Sequence, residues 1–291
     1  MKIIDLLNNP KYKEKFVMQK LICHHTKISR EEIRTQAEKE LSTDTTQNIL
    51  TDYNKYVDDT MPMEYILWYV EFFNNKFKVT QDTLIPRPET EYMIEAVSEH
   101  IKTLNIQNNN NLLMDIWTWC GVLGTSVLLQ NTNTFKHAIF TDIAYETLEI
   151  AKENFNSYFP HPTFQIDFLN SSLLDFVTKQ EINISLDTFD HIVLISNAPY
   201  IPDLTLDTEV QANVLKREPR VALVWGNDGL DLYRIMLNQL IELHPNNISI
   251  FFEMMTRQVD ILRQEFGTHF NFEEVKTFHA NIRIVSCEFK L

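Results

Sequence analysis

Phe189-Asp-His-Ile-Val-Leu-Ile-Ser-Asn-Ala-Pro-Tyr-Ile-Pro202 is an apolar run that ends on a polar, proline-bearing tetrapeptide. Ile192 to Ile195 lacks the alternation of a half-exposed strand, which predicts a parallel strand buried on both faces. Pro199 has no N–H for a ladder and holds Ala198 extended, so pairing stops at Asn197-Ala-Pro-Tyr200. A carboxamide and an aromatic ring are thereby presented at the carboxyl end of a central strand, where open α/β sheets bind their ligands. Asn offers an acceptor and a donor in one plane, and Tyr a flat face. The pair suits a planar amide or an amino-bearing base. The plain alternative is a strand followed by a Pro-containing turn.

Outward from this point, strand and helix alternate from Leu112 on. Strands are read at 112–116, 137–142, 164–168 and 192–196, then at 248–253, with a late pair near 273–278 and 282–289. Helices fill 122–130, 144–156, 228–243 and 256–266. This spacing predicts an α/β fold with a parallel, doubly wound sheet. Residues 1 to about 60 read as helical. Ser29-Arg-Glu-Glu32 has capping-box form and predicts a helix through Leu41. Asp44 to Gln47 starts another, with Ile49, Leu50 and Tyr53 on one side. Tyr65-Ile-Leu67 and Phe77-Lys-Val-Thr80 read as short strands around Asn74-Asn75, and Pro86 and Pro88 precede a helix from Glu89 to about Lys102. The division is a helical segment at 1–62, a β-hairpin linker at 63–88 and the α/β domain at 89–291. Asn108 to Asn111 is a polar loop.

Composition narrows the function classes. A formal charge of −14 argues against indiscriminate binding to nucleic acid, which depends on phosphate neutralisation. No apolar run reaches the ~18 residues of a membrane span, and the N-terminus lacks a signal-peptide core. Cys23, Cys120 and Cys287 are few and widely spaced, which fits a reducing cytoplasm and no disulfide framework. No Cys/His cluster has zinc spacing; His24-His25 reads as a solvated helix end, and His137 and His191 as packed strand residues.

The tetrapeptide does not stand alone. Leu84-Ile-Pro-Arg-Pro-Glu-Thr-Glu91 is the most specific companion. Tyr65-Ile-Leu, Glu71-Phe72, Asp115 with Thr118 and Gly121, Asp142-Ile143, Glu218-Pro219 with Ala222-Leu223, Asp228-Gly-Leu230 and Arg283 follow in order. From about Pro62 to its end the chain resembles the N5-glutamine methyltransferases that modify peptide chain release factors, whose motif is Asn-Pro-Pro-Tyr. Ala198 stands where that family has Pro. The resemblance implies a seven-stranded, mostly parallel methyltransferase sheet closed by an antiparallel hairpin, after a small helical domain that helps to grip the protein substrate. It implies S-adenosylmethionine as cofactor, lying across the strand ends from Asp115 to Asn197 over Trp117, Thr118, Trp119, Cys120 and Gly121. Asp142, about 20 residues beyond the loop, is placed to accept the ribose hydroxyls; the simpler role is a helix N-cap. Ser172 and Leu173 stand in the adenine positions.

Asn197, Ala198, Pro199 and Tyr200 are then the substrate site, with Asn197 and Tyr200 catalytic. The Asn197 Oδ1 and the Ala198 carbonyl accept the two N–H bonds of a glutamine amide while Tyr200 packs on its plane. Positioning of this kind supplies about 7–11 kcal/mol. No metal is required. Arg87, Glu89 and Glu91 read as a structural lock between linker and domain, and Glu218-Pro219-Arg220 as part of the substrate-side loop. The implied partner is a release factor with its glutamine in a Gly-Gly-Gln loop; no membrane and no nucleic acid partner is expected, and the family suggests a monomer. The competing readings are an N6-adenine nucleic-acid methyltransferase and a non-catalytic pseudoenzyme.

Glycine is the anomaly. There are five in 291 residues, against about 7% in ordinary proteins. The cofactor loop Asp115-Ile-Trp-Thr-Trp-Cys-Gly121 differs from the family's Asp-x-Gly-Thr-Gly-x-Gly, where glycine lets the backbone turn with positive φ and lie against the ligand. Trp117 and Trp119 occupy two of those places. Trp68 and Trp225 also fall on family glycines, which accounts for all four tryptophans of the chain. UGA is read as Trp under one variant genetic code and as Gly under another. A gene that decodes UGA as Gly, translated with the Trp table, yields this sequence. With UGA so reassigned, the substrate expected is the release factor for UAA and UAG.

Overall fold

The computed structural model describes residues 1–104, 109–206, 212–220, 223–278 and 282–290. Ala222 of the sequence motif and Asn108 of the polar loop lie outside the described residues. The chain divides into two units, Met1–Tyr69 and Val70–Leu291.

The first unit is helical: α1 (Ile3–Asn8), α2 (Lys15–Thr26), α3 (Glu32–Thr35), α4 (Thr43–Val57) and α5 (Met63–Leu67). Ile3, Leu6, Met18, Leu21, Ile22 and Ile49 form its core. The expected capping box forms, with the Glu32 N–H donating to Ser29 Oγ at 3.2 Å and the Ser29 N–H to Glu32 Oε2 at 2.7 Å. The helix nevertheless ends at Thr35 instead of reaching Leu41, because Ile33 is its one buried residue. Most helical stability comes from packing an apolar face, and α3 has none to extend. The helix expected from Asp44 is α4, capped by Ser42, whose Oγ accepts from the Thr45 N–H at 3.0 Å. Tyr65-Ile-Leu67 lies in α5 and is not a strand. All three side chains are buried together with Met63, and periodicity cannot separate so short an apolar run from a strand.

The second unit begins within a hairpin, β1 (Tyr69–Phe72) and β2 (Asn75–Lys78). Its turn residues Phe73 and Asn74 both have positive φ, 46° and 61°, as a type I′ turn requires. A 3-10 turn at Pro88–Thr90 leads into α6 (Glu91–Thr103). The alternation then follows as β3 (Asn111–Ile116), α7 (Val122–Gln130), β4 (Phe135–Asp142), α8 (Tyr145–Tyr158), β5 (Gln165–Asn170), α9 (Asp175–Thr178), β6 (His191–Ser196), α10 (Ala212–Arg217), α11 (Asp231–Leu243), β7 (Ile248–Met255), α12 (Thr256–Phe266), β8 (Phe270–Phe278) and β9 (Ile282–Phe289). The seven strands order as β5-β4-β3-β6-β7-β9-β8. β3 to β7 pair in parallel, while β9 runs antiparallel to β7 and to β8. This is the seven-stranded methyltransferase topology.

The register sets the site. Asp115 of β3 lies opposite Phe140 of β4 and Ile195 of β6. The chain leaves β3 toward β4 and β5, then returns to β6 on the other side. The switch point of the sheet thus falls between the carboxyl ends of β3 and β6, where such sheets open a crevice.

Candidate active site

Residues 117–121 form the turn from β3, which carries Asp115 near its end, to α7. Asp115 is buried; its Oδ2 accepts from the Thr118 hydroxyl at 2.6 Å and the Gly124 N–H at 2.9 Å, while Oδ1 has no partner. Burial pushes its carboxyl up to about 6. The Thr118 N–H donates to the Thr141 carbonyl at 2.8 Å, which docks the loop on β4. Gly121 has φ +76°, and a Cβ there would sit 3.0 Å from the Ala151 Cβ. Glycine is needed at this point both for the turn and for the approach of α7 to α8. Cys120 is buried, and burial raises its thiol to about 12, so it is inert packing. Its carbonyl accepts from Asn154 Nδ2 at 2.8 Å, and the same amide donates to the Lys78 carbonyl at 2.9 Å. Asn154, which sequence reading passed over, therefore ties the loop to the hairpin.

Asp142 ends β4 and faces the loop. Its Oδ2 accepts from the Trp119 N–H at 3.1 Å and its Oδ1 from the Ala144 N–H at 3.0 Å. It holds the Ala144 N–H ahead of α8 and the loop N–H of Trp119, while the N-cap residue is Ala144 and not Asp142 as expected. Burial raises it to about 7. Ser172 is exposed, whereas Leu173 is buried with φ +51° and joins the same core cluster as Trp117 and Trp119.

At the end of β6, Asn197 Nδ2 donates to Thr90 Oγ1 at 3.3 Å. The Ala198 carbonyl accepts from the Tyr233 hydroxyl at 2.9 Å, and the same hydroxyl reaches the Glu253 carbonyl at 2.7 Å. Tyr200 is half-buried. Its hydroxyl donates to Glu253 Oε1 at 2.9 Å, and its carbonyl accepts from Gln258 Nε2 at 2.6 Å. Burial, then the charge of Glu253, raises the phenol well above its ordinary range, so it stays a donor. Ile201 bridges to Val224. An open groove beside it is lined by Asp203, Arg220, Trp225 and Gly226. Arg87 donates from Nη2 to both oxygens of Glu218, at 2.8 and 2.9 Å, and Glu91 Oε1 accepts from the Phe73 N–H at 2.8 Å. His137 pairs with Asp167 and His191 with Ser249, away from the carboxyl ends of the strands.

Glu253, Tyr233 and Gln258 were not singled out in the sequence, and Thr90 appeared only as a member of the Leu84–Glu91 motif. The signal for Glu253 was a carboxylate inside the apolar run Ile248–Met255. It is fully buried. Thr90 and Asn197 lie beside it and favour its charged form, though neither closes a full hydrogen bond onto Oε2. Burial dominates and lifts the carboxyl from 4.5 to about 7. The unfolded chain releases this proton near 4.5 and the folded chain holds it to about 7, so Glu253 removes stability as pH rises through that window and no more above it. Glu253→Gln never ionises. Its stability relative to the parent is expected to rise across the window and then level off, in thermal melts taken at pH values spanning it. A difference independent of pH would mean that the carboxyl is solvated.

The backbone of this site fits S-adenosylmethionine, with a glycine-type turn, an unpartnered buried carboxylate oxygen and Asp142 at the second strand end. Two side chains do not. Trp117 and Trp119 are only 2% and 6% exposed. Their rings meet edge to face at 6.2 Å, and Trp225 closes on Trp117 at 5.5 Å. Trp119 Nε1 donates to the Asn197 carbonyl at 3.1 Å. Indole thus occupies the crease from the loop to Asn197, where the cofactor is expected to lie.

No family model matches the chain. It is 30% identical over 272 residues to the release factor glutamine methyltransferase of Bacillus cereus, covering 92% of this chain and 90% of that one. It is 34% identical over 186 residues to the enzyme of the same name from Mycoplasma mycoides, covering 64% and 60%. Among solved structures, the hMettl16 catalytic domain in complex with a MAT2A 3'UTR hairpin superposes with a TM-score of 0.53 at 10% identity, over 97% of this chain and 92% of that one. That likeness shows a shared methyltransferase fold. Sequence and sheet order agree, and the chain belongs to the release factor glutamine methyltransferases.

Proposed function

We propose that this protein transfers a methyl group from S-adenosylmethionine to the side-chain amide nitrogen of a glutamine, the one in the Gly-Gly-Gln loop of a peptide chain release factor. The observation that carries the reading is the fixed orientation of Asn197. With Nδ2 committed to Thr90, Oδ1 is the end left to accept an N–H from a substrate amide. The Ala198 carbonyl holds the Tyr233 hydroxyl on one lone pair and keeps a second for the other N–H. Glu253 and Gln258 hold Tyr200 from both ends, so its ring is a rigid wall for the amide plane. These residues bind and orient; the cofactor supplies the electrophilic methyl group. Asp115 and Asp142 are the residues for its polar contacts, with Thr118, Cys120, Gly121, Ser172 and Leu173 around them.

The helical unit Met1–Tyr69 takes part in gripping the protein substrate. The enzyme works as a cytoplasmic monomer without a nucleic acid partner, as the charge of −14 supports. Among the described residues no helix is long and apolar enough to cross a membrane, and none of the His, Cys, Asp and Glu side chains cluster as a metal site.

The test is incubation with methyl-labelled S-adenosylmethionine and purified release factor. It uses the chain as written and a variant with glycine at 117 and 119. Label is expected on the Gly-Gly-Gln glutamine, with none on a Gly-Gly-Ala factor. Label on RNA or DNA instead would transfer the site to the adenine reading.

A further inference from the structure

Three of the four tryptophans sit in backbone conformations that tryptophan avoids. Trp68, Trp117 and Trp119 have φ of +64°, +66° and +53°. For a side chain with a β-carbon this left-handed region is strained, and for a bulky one it is an outlier. One packing environment does not explain the three together, because Trp68 is exposed while Trp117 and Trp119 are buried against each other. Trp68 is 55% exposed at the C-cap of α5, the position where glycine ends helices. Trp117 is buried, yet its Nε1 finds no hydrogen-bond partner, which a selected core indole would have. Trp119 spends its Nε1 on the carbonyl of Asn197, at the centre of the substrate site. Trp225 is outside the left-handed region, but it stands beside Gly226 at φ +81° and packs on Trp117.

We infer that the working protein carries glycine at 68, 117, 119 and 225, and that indole at 117, 119 and 225 is a plug in the cofactor crease that the working protein lacks. The backbone was shaped for residues without a β-carbon. With glycine at 117 and 119 the turn loses its strain and the crease opens from Asp142 to Asn197. Codons read as tryptophan where the cell inserts glycine account for the pattern at all four positions at once. The inference deepens the methyltransferase reading, since it concerns the cofactor site of that reaction.

Two measurements test it apart from activity. The first is mass spectrometry of the protein isolated from its own cells, on the tryptic peptide between Lys102 and Lys136. A peptide lighter by two tryptophan-to-glycine exchanges is expected; tryptophan at 117 and 119 overturns the inference. The second is calorimetric titration of S-adenosylmethionine into the chain as written and into Trp117→Gly/Trp119→Gly/Trp225→Gly. Binding is expected only for the glycine form, and equal binding by both overturns the plug.

Should the triple variant fold poorly, Trp68 reads the backbone at a site far less demanding of packing. At an exposed position with ordinary φ, alanine is more stabilising than glycine, and at positive φ the order reverses. Trp68→Gly is expected to favour folding about five-fold or more over Trp68→Ala, and the opposite order counts against glycine geometry. The outcomes also separate the two claims. A glycine form that binds the cofactor but labels no release factor keeps this inference and removes the function. A native chain bearing tryptophan that still labels the factor does the reverse.

Discussion

Arg87→Ala is expected to lower the stability of the second unit by about 3–5 kcal/mol, the cost of leaving one partner of a buried ion pair without the other. The Glu218 side chain is 0% exposed, and Arg87 is 29% exposed. Both carboxylate oxygens accept from a single guanidinium nitrogen. Without that cation, Glu218 keeps a buried charge that has lost its guanidinium partner. Glu218→Gln should cost less than Arg87→Ala, since it removes the charge along with the pairing. The double variant should recover part of the loss, as coupled sites do. Urea unfolding of the three variants checks this. A loss under about 1 kcal/mol for Arg87→Ala would mean that the pair behaves as a surface bridge. The contact joins the Leu84–Glu91 segment, which carries Thr90, to the segment that leads to the groove beside Ile201, so the same change should loosen both walls of the site.

Asn197→Ala, made in the glycine form, is expected to reduce kcat by about a hundred-fold or more. An amide nitrogen is a weak nucleophile, and catalysis here depends on aiming its lone pair; misplacement by about 1 Å costs on that order. Alanine removes the Oδ1 acceptor and the bond that Nδ2 donates to Thr90. Cofactor affinity should change little, because the loop from Asp115 to Gly121 is untouched. Asn197→Asp restores an acceptor oxygen but loses the donor and adds a carboxylate beside Glu253, so it should rescue poorly and fall further as pH rises. Single-turnover rates together with calorimetric cofactor binding decide the matter. Equal losses in both would make Asn197 a cofactor ligand and not a substrate-orienting residue.

Much of this was legible in the linear chain. An apolar run without alternation marked β6 as a buried parallel strand, and the succession of strand and helix located β3 and β7. Asn197-Ala-Pro-Tyr200 announced its own position at a strand end, because proline chemistry is local. The loop from Asp115 to Gly121 and the four misplaced tryptophans were also visible, as a mismatch between residue type and the backbone that such a turn needs.

Partners distant in sequence were not. Glu253 lies 53 residues from Tyr200, Tyr233 lies 35 from Ala198, and Glu218 lies 131 from Arg87. These meetings follow from strand order and register, which no window of sequence contains. The same holds for α5, where Tyr65-Ile-Leu67 fits helix or strand equally until burial on all sides selects helix. The left-handed φ of Trp68, Trp117 and Trp119 likewise became visible only in three dimensions. Periodicity and turn chemistry are properties of neighbours along the chain, so the sequence by itself determined the architecture, the motif and where glycine was missing. Which side chain steadies Asn197 and Tyr200, and what now fills the crease beside them, depends on groups brought together by packing, and only the tertiary structure decided it.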